Sequence, residues 1–209
     1  MNILAFDLST RRGSLALSTG NGVAFTRDWP NDRRNSGRFF QLLGEVIVEH
    51  GTPDLIVVGV GPGSYTGSRI AISTGIGLQA STGATLGGLP SVVGLSNEED
   101  YVAIGDAKRS SFFFAHVRGG RLIGASEVFS ETEMTTRISS IGLPVYTSDD
   151  LPQFNAAQVR FPSAELLCRA ATESPQNLIR APLTPIYLRE PHITTPRSKH
   201  DTAASSLLG

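Results

Sequence analysis

Residues 59–72 read GVGPGSYTGSRIAI. A glycine-rich turn stands here between an apolar run, LIVVGV, and a helix-like run, the context in which many proteins hold a phosphate. The phosphate templates fail residue by residue. Counting a P-loop from Gly61 puts Thr66 where the second glycine belongs, and no lysine follows. The dinucleotide fingerprint G-x-G-x-x-G fits Gly61 and Gly63 and then meets Thr66 again. A hydrolase elbow around Ser64 would need glycines where Pro62 and Thr66 stand. What remains is geometry: Gly61, Gly63 and Gly67 supply a tight turn, Pro62 stiffens it, and Ser64 or Thr66 caps a helix expected over residues 68–81. That helix carries Gly75 and Gly77, and each mid-helix glycine costs about 1 kcal/mol relative to alanine. Such residues persist where another backbone approaches closely, either the chain's own sheet or a partner's helix.

Upstream of the turn, NILAFDL reads as a buried strand. SLALSTG and GVAFTRDW read as two more, joined at Gly20-Asn21-Gly22. In SGRFFQLLGEVIVEHG the apolar residues Phe39, Leu42, Leu43, Val46 and Ile47 recur at helical spacing, with Gly51 to close the helix and Pro53 beyond. DLIVVGVG is a short apolar strand of the parallel-sheet type, and TLGGLP a further one. Three antiparallel strands, helix, strand, helix, strand is the order of a ribonuclease-H-like sheet. Downstream, YVAIGDA, SFFFAHVRG and RLIGASEVF form a three-strand meander with turns at Lys108-Arg109-Ser110 and Gly119-Gly120. A helix over 131–140, a strand at LPVYTS, a helix around Cys168 and an extended LTPIYLRE follow. The division expected is a first lobe over 1–96 and a smaller second lobe over 97–209. The polar tail from about residue 191 is expected to be mobile unless something binds it.

Composition narrows the function. A net charge of -1 provides no global basic field for nucleic acid, so a role with RNA needs a partner or a local patch. With one cysteine, Cys168, no internal disulfide forms, and a reducing cytoplasm is the expected location. Cys168 shares a helical face with Ala164, Leu167 and Ala171 and reads as buried filling. MNILAFDLST lacks the pattern of a signal peptide, and no apolar stretch approaches the roughly 18 residues that suggest a membrane span.

GPGSYTGSRIAISTGIGLQAS resembles the G-P-G-S-[FY]-T-G-x-R-I-G segment of the TsaB family, bacterial subunits of the tRNA threonylcarbamoyladenosine machinery. ILAFDLST, AIGDAKRSSFFFAHV and LTPIYLRE resemble three further segments of that family, in the same order and across almost the whole chain. The resemblance implies an α/β actin-like/Hsp70-like (ASKHA) fold with two ribonuclease-H-like lobes, the second reduced. It also implies a non-catalytic scaffold that pairs with a TsaD-like catalytic subunit. That subunit carries the metal and transfers threonylcarbamate to tRNA, a TsaE-like ATPase joins the pair, and tRNA is reached indirectly through the complex. The sequence departs from the family pattern at Asn35 and Gln41, in the Lys108-Arg109-Ser110 turn and at the glycine before Asp106.

Three functions follow for comparison. A glycoprotease-like metallopeptidase would need H-x-x-x-H to set two imidazoles one helical turn apart. The four histidines are 50, 116, 192 and 200, so no metal site is expected. An ATP-binding or ATP-hydrolysing protein of actin-like fold would use Asp7, Ser9 and Thr10 as its first phosphate hairpin. Its second hairpin, D-x-G-[GT], would fall at Asp106-Ala107-Lys108-Arg109, which lacks the glycines. No cofactor is expected in this chain alone, with ATP or ADP at the boundary with a partner left open. The scaffold reading takes its interface from the resemblance: Phe39, Leu43, Val46 and Ile47 on the first helix, with Arg69, Ile72, Gly75 and Ile76 on the second. Two such helix pairs would make a four-helix contact, and the chain alone would homodimerise there. Two small basic clusters, Arg33-Arg34-Arg38 and Arg197-Lys199-His200, read as solvated surface before they read as contacts for tRNA phosphates inside a larger complex.

Overall fold

In the computed structural model the chain is described over residues 1–31 and 36–188. Asn35, the Arg33-Arg34 pair and the tail from 191, with its Arg197 cluster, lie outside them. Strands β1 (Ile3–Asp7), β2 (Arg12–Thr19) and β3 (Gly22–Pro30) form an antiparallel meander. Helix α1 (Ser36–His50), strand β4 (Leu55–Gly59), helix α2 (Tyr65–Thr82) and strand β5 (Thr85–Leu89) follow. Parallel pairing sets Ala5 opposite Val57 and Val57 opposite Gly87. A 3-10 turn, Ser91–Leu95, leads to the second meander, β6 (Asp100–Asp106), β7 (Ser111–Arg118) and β8 (Arg121–Ser130). Helix α3 (Glu131–Ile141), β9 (Val145–Thr147), β10 (Ala157–Val159), helix α4 (Ala164–Glu173) and β11 (Ile179–Arg180) complete the described chain.

Period-two alternation sorts the strands into three apolar layers. On β1, Leu4 and Phe6 face α1 and α2 together with Ile56, Val58, Phe39 and Ile72. Ile3 and Ala5 face the other way, into a layer shared with Tyr101, Ala103 and Phe113 of the second sheet. On the far side of that second sheet, Val102, Ile104 and Phe114 pack with Met134 of α3. Helix α4 lies in the middle layer, where Leu167, Cys168 and Ala171 are buried between the two sheets. The Cys168 thiol points at the Ile3 carbonyl (3.4 Å), and burial pushes its pKa up to about 12, so it fills space rather than reacts.

The chain after residue 160 departs from the simple lobe boundary. The sheets are ordered β11-β5-β4-β1-β2-β3 and β10-β9-β6-β7-β8. The stretch 164–180, expected inside the second lobe, therefore returns to the first: α4 packs on β1 and β2, and β11 pairs with β5. No strand forms over residues 183–188 of the LTPIYLRE segment. Pro182 and Pro185 remove amides there, and the segment runs extended along Val60, to whose carbonyl the Ile186 amide donates (2.8 Å).

Candidate functional site

Two places on this scaffold collect the residues singled out by sequence. The first is a cleft of about 400 Å³ between the sheets, at the carboxyl ends of β1 and β4, lined among others by Ser9, Thr10, Arg11, Ser64, Lys108 and Asp149. The β1–β2 turn that forms one wall is held internally. The Asn31 side-chain amide donates to the Leu8 and Thr10 carbonyls (3.1 and 2.8 Å), and Thr10 Oγ1 donates to the Arg12 carbonyl (2.9 Å).

The opening glycine stretch packs on that wall. A Cβ on Gly63 would lie 2.2 Å from the Ser9 carbonyl oxygen, and one on Gly67 would lie 1.9 Å from that of Leu8. The Ser64 amide donates to the Ser9 carbonyl (2.6 Å), and Ser64 Oγ accepts from the Gly67 amide as the N-cap of α2. The cap starts the helix at Tyr65, three residues before the sequence-predicted start. The Gly61, Ser64 and Gly67 amides thus donate to the chain's own Ser91 hydroxyl, Ser9 carbonyl and Ser64 hydroxyl, and the turn serves close packing within the lobe.

Asp7 follows Ile3 and Ala5 on the inter-sheet face of β1, against the cleft-lining Ser9 and Ser91, and is fully buried. Its Oδ1 accepts from the Ser9 amide (2.8 Å) and the Ser9 hydroxyl (2.7 Å). Among the described residues its Oδ2 makes no well-formed hydrogen bond, the Ser91 hydroxyl beside it being the polar group that favours its charge, and a Cβ on Gly59 would lie 1.8 Å from it. Gly59 therefore leaves the space the carboxyl group occupies. Burial raises the pKa of Asp7, and Ser91 and Ser9 beside it counter that only in part. Ser91, which accepts the Gly61 amide (2.8 Å), was not foreseen from sequence. Its only local signal is its place just after the strand-ending Pro90.

The opposite wall is the β6–β7 turn. Lys108, Arg109 and Ser110 all adopt left-handed backbone angles (φ 67°, 56° and 56°), held by hydrogen bonds from the Lys108 amide to Asp106 and from Ser111 Oγ to the Lys108 carbonyl. Lys108 Nζ pairs with Asp106 at 2.7 Å. Partial burial works against the Asp106 charge, but the Lys108 contact outweighs it and lowers the pKa; the same contact raises that of Lys108. Among the described residues no three His, Cys, Asp or Glu side chains converge closely enough to hold a metal ion.

The second place is the outer face of α1 and α2. Phe39, Leu43, Val46 and Ile72, expected at an interface, are buried in the chain's own core, and Ile47 is half-buried against it. Gly75 points inward as well: a Cβ there would lie 2.9 Å from Val58 Cγ2. The amphipathic stripe is the core stripe, because it is the stripe that faces a sheet. Of the residues expected at the interface, Arg69 and Ile76 remain exposed. The helices present other groups outward: Phe40 (53% exposed), Val48 (89%), Tyr65 (48%) and Ile76 (48%). Arg69 Nη1 donates to the Tyr65 hydroxyl (2.9 Å) while its guanidinium lies 5.2 Å from the ring centroid, and Tyr187 packs on Tyr65 at 5.4 Å. Phe40, Tyr65, Thr66, Arg69, Ile70 and Ser73 border a shallow hollow of about 360 Å³. Phe40 lay beside the chosen stripe, one helical step of 100° from Phe39; Tyr65 lay before the expected helix start.

No family model matches the chain. Uncharacterized protein ML0378 of Mycobacterium leprae is 28% identical over 151 residues, 66% of this chain, and the chain spans only 38% of that relative's length. Two solved structures from Pseudomonas aeruginosa are similar over nearly their whole length. One, an uncharacterized protein with similarity to peptidase YeaZ, is 24% identical with a TM-score of 0.72, covering 90% of this chain and 99% of that one. The other, YeaZ, is 21% identical with a TM-score of 0.69 and the same coverage. At these identities the likeness shows the fold, which is YeaZ-like and of the actin-like/Hsp70-like class expected from the sequence.

Proposed function

We propose that this chain is a non-catalytic subunit of TsaB type, which pairs with a TsaD-like transferase, with a TsaE-like ATPase, in the formation of N6-threonylcarbamoyladenosine in tRNA. The observation that carries the reading is the outer face of α1 and α2. The two helices expose Phe40, Val48, Tyr65 and Ile76, and Phe40 of one and Tyr65 of the other border the same hollow as an arginine already ordered on that tyrosine. Aromatic residues and arginine are the groups that concentrate binding energy in protein interfaces. The YeaZ-like fold over 90% of the chain supports the same reading, YeaZ being a TsaB-family protein. In the absence of its partner the chain would use the same face for a second copy of itself, and ATP or ADP would sit at the boundary with the partner.

The test is co-purification with the TsaD-like protein of the same organism, followed by tRNA modification with and without this chain. A Phe40→Asp/Ile76→Asp variant should keep its melting temperature within a few degrees and bind the partner at least about tenfold more weakly, a difference of about 1.4 kcal/mol. If the catalytic protein neither binds the wild-type chain nor needs it, the reading is wrong. A second reading, an actin-like nucleotide-binding protein, draws on the cleft lined by Ser9 and Thr10, with Asp7 buried behind Ser9. It is favoured instead if the isolated chain hydrolyses ATP and Asp7→Ala abolishes turnover.

A further inference from the structure

Beside the cleft mouth three exposed arginines stand on aromatic rings with no ion pair among the described residues, as Arg27 does over Phe25 and Arg69 over Tyr65 on other surfaces. Elsewhere Arg118, Arg137 and Arg169 are each engaged with a carboxylate, on Asp100, Glu127 and Glu173. Arg11, Arg12 and Arg160 make no ion pair among the described residues, and all three are exposed. Aromatic rings hold them instead. The guanidinium carbons of Arg11 and Arg12 lie 5.3 and 5.8 Å from the centre of the Phe161 ring, and that of Arg160 lies 5.1 Å from the Tyr146 ring. The backbone that carries them is fixed within each lobe. The Arg160 amide donates to the Thr147 carbonyl (2.8 Å), its carbonyl accepts from Ser148 Oγ (2.7 Å), and Arg12 begins β2. Among the described residues no acid forms an ion pair with these arginines: Asp106 is paired with Lys108, Asp149 accepts the Asp106 amide, Glu98 accepts from the hydroxyl of the Tyr146 ring that carries Arg160, and Asp150 is exposed.

We propose that Arg11, Arg12 and Arg160 form a direct contact for the phosphate backbone of RNA. A guanidinium stacked by one face keeps its N–H edge free to donate, and a planar fork of donors matches phosphate oxygens. The rings are occupied by the arginines, so they are not free to stack on bases. The contact therefore reads charge and not sequence. A chain of net charge -1 gains no long-range attraction from its total charge, so the contact is confined to this patch. The choice of RNA as the polyanion rests on the tRNA-modification reading, in which the RNA was expected to be reached only through the complex.

The test is fluorescence anisotropy of the full chain with a labelled tRNA transcript, and with an unrelated RNA of equal length, between about 50 and 200 mM salt. Wild type should bind both RNAs alike. Arg11→Gln/Arg12→Gln/Arg160→Gln should weaken binding at the low-salt end at least about tenfold and flatten the log K against log salt slope by about 2, since each phosphate contact contributes about 0.7–0.9. The Arg→Lys version of the same triple should retain most of the slope, which separates charge from folding. Arg118→Gln/Arg137→Gln/Arg169→Gln, with the same change in net charge, should stay within about twofold of wild type. The inference is overturned by an absence of wild-type binding at the lowest salt, by equal losses in the two glutamine triples, or by an unchanged slope. It is also overturned if poly-glutamate displaces the RNA at matched charge, which would make an acidic protein segment the occupant. Loss of partner association with RNA binding intact breaks only the pairing reading; the converse breaks only this one.

Discussion

Two turns face each other across the interlobe cleft, and they solve their backbone problem in opposite ways. The turn that enters α2 uses glycine: Gly61 and Gly63 have positive φ, and Gly63 and Gly67 press against the Ser9 and Leu8 carbonyls. The β6–β7 turn also needs left-handed angles at three successive positions, yet fills them with Lys108, Arg109 and Ser110. Each such angle disfavours a non-glycine residue by roughly 1–2 kcal/mol. In the first turn the absence of a side chain is the requirement, because another backbone occupies the space. In the second the side chains have been kept against the backbone preference, and the turn sets the paired Lys108 and Asp106 at the cleft.

That contrast breaks most readily at Gly67. Gly67→Ala should destabilise the chain by about 3 kcal/mol, since its Cβ would lie 1.9 Å from a carbonyl oxygen that belongs to a pinned turn. Gly77→Ala in the same helix meets nothing within 4 Å and should stabilise by up to about 1 kcal/mol. Urea denaturation midpoints of the two variants measure the difference; equal midpoints would end the close-packing account. Ser64→Ala removes the cap that links the glycine turn to α2 and should lose about 1 kcal/mol in the same assay.

For the opposite turn the sign reverses. Arg109→Gly should raise stability by about 0.5–1 kcal/mol, the relief of a left-handed residue less the added freedom of the unfolded chain. A loss would mean that the Arg109 side chain holds the turn. The final effect is a curve against pH. The pKa of Asp7 is raised by burial, so the neutral form is favoured in the folded state. The corresponding stability is present in full below the ordinary carboxylate value of 3.8 and is lost as pH rises through the raised folded value. Asp7→Asn should therefore match wild type in acid and become the more stable protein as pH rises through that window, as followed by melting temperature.

The first meander, α1, β4, α2 and β5 were legible because each is bounded by its own turn residues, α1 also by its apolar spacing and α2 by the glycine turn and serine that begin it. Gly51 shows this well: it adopts φ 79° and donates to the Ile47 carbonyl where the sequence expects the helix to close. Strands β10 and β11 were not legible, having three and two residues and no alternation of their own. Their pairing comes from neighbours distant in sequence. Most of the residues expected at the interface are buried for a related reason. Periodicity reports which face of a helix is apolar, and in α1 and α2 that face meets the chain's own sheet; Phe40 and Tyr65 stand outside the stripe and carry no periodic signal. Asp7 could be read as a strand-end carboxylate, but the space for its Oδ2 depends on Gly59, 52 residues away.

The return of α4 and β11 to the first sheet has a consequence for how the protein is made. The Ala164 amide donates to Ser14 Oγ across 150 residues of chain, and Ile179 pairs with Gly88. While the ribosome is still translating the second meander, Ile3, Ala5 and Ala16 lack the helix that covers them, and β5 is a bare edge. The first lobe is the first to emerge and among the last to be finished, so a nascent chain halted before residue 164 should expose a sticky apolar sheet that a chaperone would recognise.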